Sequence, residues 1–144
     1  MSDSTLPQPN LQFAMLIKAH ISEVIQVGAV ADGVRTHFSL QGGSIKGPRL
    51  NAELLTGADR FLMRTDGVPF VDALYEIKTD DGVMITVHNS GPALPATSAG
   101  LAHTTLRFTA PTGQHDWLNK ANFVGTLKAE MAEGYVLVRV DQVL

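Results

Sequence analysis

Cysteine is absent from the 144 residues of this chain. Disulfide bonds, thiolate zinc sites and cysteine nucleophiles are therefore excluded. Charge is also sparse, since charged residues make up 17% of the chain and the net charge at pH 7 is −3. The 11 basic residues are scattered and form no stripe with aromatic residues, so we expect no nucleic-acid partner. A weakly charged surface favours a homo-oligomer.

Long apolar runs and a basic leader are missing as well. No stretch approaches the ~20 apolar residues of a membrane-spanning helix, so no membrane partner is expected. Residues 1–10 lack the basic start and apolar segment of a signal peptide, and they contain Pro7 and Pro9. We interpret residues 1–10 as a flexible lead-in and residues 11–144 as a single β-barrel domain with a cytoplasmic location.

The usual motifs of cofactor and nucleophile chemistry do not occur. The chain has no phosphate-binding loop, no glycine-rich dinucleotide motif, no His-Glu-x-x-His and no Gly-x-Ser-x-Gly. The histidines are too far apart for ligand spacing: His20, His37, His88, His103 and His115. We therefore expect no cofactor and no metal, with a composite site across several strands left as the alternative.

Short alternating segments dominate the sequence. The apolar residues of the first segment fall on one face at a period of two: Phe13, Met15, Ile17, Ala19 and Ile21. Similar segments, rich in β-branched or aromatic residues, occupy residues 34–41, 49–55, 60–65, 71–79, 83–89, 102–109, 122–128 and 136–140. The pattern predicts roughly nine strands and little helix.

Turn-forming pairs separate these segments. Three Asp-Gly pairs give strong hairpin signals: Asp32-Gly33, Asp66-Gly67 and Asp81-Gly82. Further reversals are predicted at Gly42-Gly43, Gly47-Pro48 and Glu133-Gly134. An open meander would leave two exposed edges, which closure removes. We therefore predict an all-β fold, an antiparallel closed barrel of roughly 8–10 strands.

Three segments lie outside this pattern. Residues 116–120 are predicted to form one helical turn with Asp116 as its N-cap. Residues 128–133 have a helix-favouring composition but are too short for an independent helix, so a hairpin loop is expected. Residues 90–100, rich in proline, glycine and small side chains, are predicted to be a flexible loop and a candidate lid.

Two predicted strands carry polar residues on one face. In 34–41 these are Arg35, His37 and Ser39, and in 102–109 they include His103 and Arg107. Such a face points either to solvent or into a wide barrel, and two strands alone do not decide between them.

Individual residues in the middle and late parts of the chain are candidates for a site. Asp66 and Asp81 sit in Asp-Gly turns, where bonds from side chain to backbone explain them. Asp59 precedes a strand without a following glycine, so a chemical role is open to it. Tyr75 alternates with apolar residues and needs a partner or ligand for its hydroxyl. Trp117, the single tryptophan, is a candidate plug of one barrel end.

An ordered series of motifs identifies a resemblance. The series runs through Gly42-Gly43-Ser44-Ile45-Lys46-Gly47-Pro48, Leu55-Thr56-Gly57-Ala58-Asp59, Asp66-Gly67, Tyr75, Thr79-Asp80-Asp81-Gly82-Val83-Met84-Ile85 and Trp117-Leu118-Asn119. It resembles the bacterial family called domain of unknown function 3237, or uncharacterised protein family 0311. The resemblance covers the chain from about Phe13 to Val140.

The resemblance implies a barrel akin to those of allene oxide cyclase and dirigent proteins. Members of that wider group form oligomers and bind hydrophobic small molecules, and some steer cyclisation or coupling without a cofactor. Two departures concern the site. His103 stands where the family usually has an arginine, and Leu74-Tyr75 replaces an Arg-Tyr pair. Arg35, which follows Asp32-Gly33, resembles the family's basic position.

Two principal functions follow as hypotheses. The first is a cofactor-free lyase or isomerase, including cyclase chemistry, on a small hydrophobic or aromatic substrate, with His103 as proton shuttle assisted by Asp59 or Tyr75. Arg35 or Arg107 would stabilise an enolate or carboxylate. The remaining candidate ligand contacts are His37, Trp117 and Asn119. The alternative is a barrel that binds a small hydrophobic ligand without catalysis, and a filled, purely structural barrel is a third interpretation.

Overall fold

The computed structural model describes residues 5–95 and 100–144. The first four strands are long: β1 (Leu11–Val30), β2 (Gly33–Lys46), β3 (Asn51–Arg64) and β4 (Pro69–Thr79). The last four are β5 (Met84–Pro92), β6 (Ala102–Thr109), β7 (Asn122–Glu130) and β8 (Tyr135–Val143). Two short 3-10 helices complete the described elements: η1 (Asp116–Lys120) before β7 and η2 (Met131–Glu133) before β8.

The strands form one closed barrel. Each strand pairs antiparallel with the next, and β8 pairs antiparallel with β1. The closing seam runs from the pair Leu11 and Val143 to the pair His20 and Tyr135. The predicted closed antiparallel barrel with little helix is therefore confirmed. None of the helices in the described ranges is long and apolar enough to cross a membrane.

Short turns join the strands where Asp-Gly pairs occur. In the β3–β4 turn, Gly67 has a φ of +82° and Asp66 Oδ1 accepts the backbone N–H of Val68 at 3.1 Å. The reversal predicted at Gly42-Gly43 is wrong, because both glycines lie inside β2. There Gly43 pairs with Ala19 of β1 beside a register shift. The glycine pair therefore marks a β-bulge instead of a turn.

The predicted break between two strands near residue 57 is also wrong. Residues 49–55 and 60–65 were expected to be separate strands, but β3 continues through both. Gly57, at the expected break, pairs with Tyr75 of β4. A Cβ atom on Gly57 would lie 2.3 Å from the Tyr75 Cβ atom. The glycine thus permits a close approach of two strands instead of ending one.

The end of the barrel that contains η1 is filled. Its core consists of large apolar side chains, including Met15, Ile17, Ile45 and Ile77, none of which is exposed. The rings of Phe108 and Phe123 meet edge to face with centroids 5.0 Å apart. Leu118 of η1 is also fully buried, so η1 plugs this end of the barrel.

The helical turn at residues 116–120 is confirmed as a 3-10 helix, but its predicted cap is wrong. His115 occupies the N-cap position and makes no side-chain cap bond. His115 is buried, and its Nε2 atom lies 3.0 Å from Asp81 Oδ1 in the β4–β5 turn. This contact ties the connection between β6 and β7 to the neighbouring hairpin.

The opposite end holds the β1–β2, β3–β4 and β7–β8 turns. Residues 90–92 of the predicted lid belong to β5, and residues 96–99 lie outside the described residues. Of the predicted lead-in over residues 1–10, residues 1–4 also lie outside them, and β1 begins at Leu11. Residues 128–133 end β7 and form η2, in agreement with the expected hairpin.

Candidate functional site

A cavity of about 280 Å³ occupies the half of the barrel nearest the β7–β8 hairpin. Twelve of the fifteen lining residues are apolar, and they include Phe38, Phe61 and Met131. Three are polar: Asp59, Tyr75 and Asn89. A mostly apolar cavity with a few convergent polar groups is the usual form of a small-molecule site.

Strand alternation explains why these polar side chains face inward. Asp59 pairs with Ala73 across β3 and β4, and Ala73 pairs with Asn89 across β4 and β5. Directly paired residues share a face of the sheet, so the three form one inner row. Tyr75 is two residues along β4 from Ala73 and therefore lies on the same face.

Asp59 is the ionisable carboxyl of the cavity. Burial raises its pKa from 3.8 to about 6. The backbone N–H of Asp72 donates to Asp59 Oδ1 at 3.0 Å and lowers the pKa, whereas the nearby Asp72 charge raises it. Since both protonation states are accessible near neutral pH, Asp59 can donate a proton and take one back.

Tyr75 supplies a neutral hydroxyl beside this carboxyl. Its side chain is 3% exposed. Burial raises its pKa well above the ordinary value of 10, and the charge of Asp59 adds to the effect. Tyr75 therefore remains protonated and can donate a hydrogen bond to an oxygen in the cavity.

Asn89 was missed by the sequence analysis. It is 2% exposed, and its Oδ1 atom has no hydrogen-bond partner among the described residues. The signal was present in residues 83–89, where Asn89 continues the apolar face of Ile85 and Val87. A polar residue on a buried face needs a partner or a ligand.

His103 and Arg107 lie on the outer face of β6. Both are exposed, and they alternate with buried Thr104, Leu106 and Phe108. His103 Nδ1 is 3.4 Å from Thr126 Oγ1. Neither residue is among those that line the cavity.

Arg107 belongs to an outer polar chain. An Arg107 guanidinium nitrogen is 2.9 Å from Nδ1 of His88, whose Nε2 is 2.8 Å from Asp72 Oδ1. The Asp72 backbone N–H in turn contacts Asp59 inside the barrel. These outer contacts therefore fix the part of β4 around Asp72, whose backbone N–H binds the Asp59 carboxyl group.

Arg35 and His37 also face outward, because they alternate on β2 with Phe38 and Leu40, which line the cavity. Arg35 donates to the backbone oxygen of Arg60 at 2.6 Å. Both residues are half-buried, and the structure does not bring them to the cavity.

Trp117 and Asn119 lie at the filled end. The Trp117 ring is 6.0 Å from that of Phe123 and lies under the Arg49 guanidinium at 3.9 Å. Asn119 exchanges two hydrogen bonds of 2.8 Å with the backbone of Ala110. Of the eight predicted site residues, the cavity thus brings together Asp59 and Tyr75.

Residues 5–95 and 100–144 contain no cluster of side chains that could bind a metal ion. Nowhere in those ranges do three or more His, Asp or Glu side chains converge as ligands. Within the cavity lining, Asp59 is the one residue of these types.

Comparisons with known proteins agree with the fold. Over residues 9–143 the chain matches the family described as "Protein of unknown function (DUF3237)". A UPF0311 protein of Rhodopseudomonas palustris (strain TIE-1) is 28% identical over 153 residues, which cover 96% of this chain and 99% of that protein. A crystal structure of a conserved protein of unknown function from Rhodopseudomonas palustris has a TM-score of 0.86 at 27% identity, with 96% and 99% of the two chains covered.

One similar protein has a named activity. The hydroalkoxylation enzyme phnH of Penicillium herquei is 30% identical over 121 residues, which cover 82% of this chain and 74% of that protein.

Proposed function

The chain belongs to the DUF3237 family of proteins of unknown function, and from that premise we propose that its barrel is a cofactor-free lyase or isomerase. The substrate is a small hydrophobic or aromatic molecule held in the cavity. The observation that carries this proposal is the Asp59 carboxyl, with a pKa of about 6, in an otherwise apolar lining. A buried acid poised near neutral pH suits general acid–base catalysis.

The proposed reaction is the addition of a hydroxyl group across a carbon–carbon double bond of the same molecule. Hydroalkoxylation, the addition of a hydroxyl group across a double bond, is in the name of the Penicillium herquei relative, and we propose its intramolecular form for this chain. Neutral Asp59 donates its proton to one carbon of the double bond, and the hydroxyl oxygen bonds to the other carbon. The hydroxyl proton then passes to the Asp59 carboxylate. The product is a cyclic ether with the atoms of the substrate, and the acid is regenerated.

The other cavity groups support this chemistry. Tyr75 can donate a hydrogen bond to the reacting oxygen and fix its position. The apolar walls exclude water, which strengthens the interactions of the acid and protects a cationic carbon from hydrolysis. In this proposal Asp59 takes the proton-transfer role that the sequence analysis gave to His103.

A turnover assay in D₂O tests the proposal. The protein is incubated with a panel of unsaturated phenols and alcohols, and cyclic ethers are detected by mass spectrometry. Because the acid proton exchanges with solvent, the product should carry one deuterium on carbon. Asp59→Asn should lower the rate at least 100-fold, the lower end of the usual contribution of a general acid.

Two further variants sharpen this assay. Asp80→Asn changes an exposed turn carboxylate outside the cavity lining and should retain turnover. His103→Ala compares the two candidate acids, since loss of turnover in this variant with retention in Asp59→Asn would assign the proton transfer to His103. Saturable binding without any cyclic ether would instead support the alternative of a non-catalytic binding barrel, which the apolar lining also favours.

A further inference from the structure

The third polar group of the cavity, Asn89, has no part in the acid–base steps. Its side chain is almost fully buried, yet its Oδ1 atom has no partner among the residues that the structure describes. A buried carbonyl oxygen without a hydrogen bond is unfavourable. Asn89 lines the cavity, and although its Oδ1 atom is itself covered by protein atoms, a turn of the side-chain amide would bring Oδ1 to a donor on a bound ligand.

The position of Asn89 relative to Asp59 is set by the sheet. Asp59, Ala73 and Asn89 occupy one row across β3, β4 and β5. Neighbouring strands lie about 4.8 Å apart, so the backbones of Asp59 and Asn89 are roughly 10 Å apart. The small side chain of Ala73 leaves a depression between them. A ligand lying over Ala73 can therefore reach Asp59 with one part and Asn89 with another.

The charge of the cavity restricts that ligand. The lining contains Asp59 but no Lys, Arg or His among the described residues. A carboxylate or phosphate would therefore meet a carboxyl group and no counter-ion. A neutral hydroxyl or phenol can donate to Asn89 Oδ1 without this penalty.

We propose that Asn89 determines specificity by accepting a hydrogen bond from a hydroxyl or phenol group of a neutral ligand, across Ala73 from Asp59. This inference rests on the proposed function and names the substrate class of the same site. It also predicts that methylation of the hydroxyl weakens binding, because an ether oxygen cannot donate.

A matched pair of probes tests the inference: 2-allylphenol and its methyl ether, 2-allylanisole. Isothermal titration calorimetry of the wild-type protein should show roughly threefold to tenfold tighter binding of the phenol, the range of a net neutral hydrogen bond. Asn89→Leu, of similar volume and without an acceptor, should abolish this preference. Asn122→Leu, on the exposed side of β7, should keep it.

Two more variants separate this inference from the proposed function. Ala73→Leu should weaken the binding of both probes, because it fills the depression between Asp59 and Asn89. Asp59→Asn should lose turnover and retain the preference for the phenol. If the wild-type preference depends on Asn89 but no substrate turns over, the proposed function fails and the inference stands. Equal binding of both probes, no binding of 2-allylphenol, or a preference that survives Asn89→Leu would overturn the inference.

Discussion

Among single residues, Asp59 links the stability of the barrel to its chemistry. Burial is the largest cause of its raised pKa, and the opposing hydrogen bond from the Asp72 N–H is smaller. The folded state therefore binds the Asp59 proton more tightly than the unfolded chain does. The same desolvation that prepares the acid for catalysis destabilises the fold when the carboxyl ionises.

The pH dependence of stability follows from this difference. Neutral Asp59 is compatible with burial, so its favourable contribution is complete below about pH 4 and is lost as the pH rises through about 6. The expected loss in the free energy of unfolding is about 2–3 kcal/mol, since a tenfold change in the acid dissociation constant corresponds to about 1.4 kcal/mol. Asp59→Asn should not show this loss.

Urea unfolding at pH 4 and pH 8, followed by far-ultraviolet circular dichroism, measures the difference. The variant should be more stable than the wild type at pH 8 by that amount and comparable to it at pH 4. Other titrating groups contribute equally to both proteins. Parallel pH profiles would show that Asp59 is not desolvated in the folded protein.

The sequence predicted two of the three polar residues of the cavity. Asp59 could be found because no glycine follows it, and Tyr75 because its neighbours alternate as an apolar face. Asn89 was overlooked because a single polar residue at the end of an apolar face resembles the end of a strand. His103 points outward because the other face of β6 packs on the core. The neighbouring strands determine which face is buried, so the sequence of β6 alone does not predict it.

At the scale of strands, glycine marks both turns and close approaches. The Asp-Gly pairs predicted the hairpins, because such turns depend on local backbone conformation. Gly43 and Gly57 were misinterpreted, because each accommodates a neighbouring strand that is distant in sequence. Gly43 faces the backbone of Lys18, and Gly57 faces Tyr75. Sequence signals therefore predicted local reversals well and predicted contacts between strands poorly.

Gly57 gives a direct test of this distinction. In Gly57→Ala the new Cβ atom would lie 2.3 Å from the Tyr75 Cβ and 2.4 Å from the Leu74 oxygen. Since β3 and β4 must separate to admit it, we expect a loss of about 1–3 kcal/mol or more in the free energy of unfolding. Chemical denaturation measures this loss. Ala58→Ser adds one atom at the next position, on the outer face, and should change stability by less than about 0.5 kcal/mol.

At the scale of the whole molecule, the barrel closes between two strands of unequal length, because β1 is longer than β8. Its 20 residues pair with β8 only from Leu11 to His20. Beyond Ile21, no strand in the described ranges pairs with the second edge of β1. Val24, Ile25 and Val27 on this segment are exposed. An open edge with exposed apolar side chains favours pairing with another chain.

We therefore expect the predicted homo-oligomer to assemble through this segment of β1. Size-exclusion chromatography with light scattering should detect an oligomer in the wild type and a smaller species in Val27→Lys. Leu74→Lys places the same charge at an exposed apolar position on β4, a strand that is paired on both edges, and should leave the mass unchanged. A monomeric wild type, or dissociation by Leu74→Lys alone, would contradict this arrangement.

The seam between β1 and β8 also sets the order of events during synthesis. The pairing of β1 cannot be completed until β8 is present, because residues 11–20 pair with residues 135–143. Until β8 is available, any sheet formed by β1–β7 has two unprotected edges. Pairing over such a sequence separation is slow to form. The closed cavity therefore forms only once β8 has been synthesised, and a ligand that needs the closed cavity binds after that point.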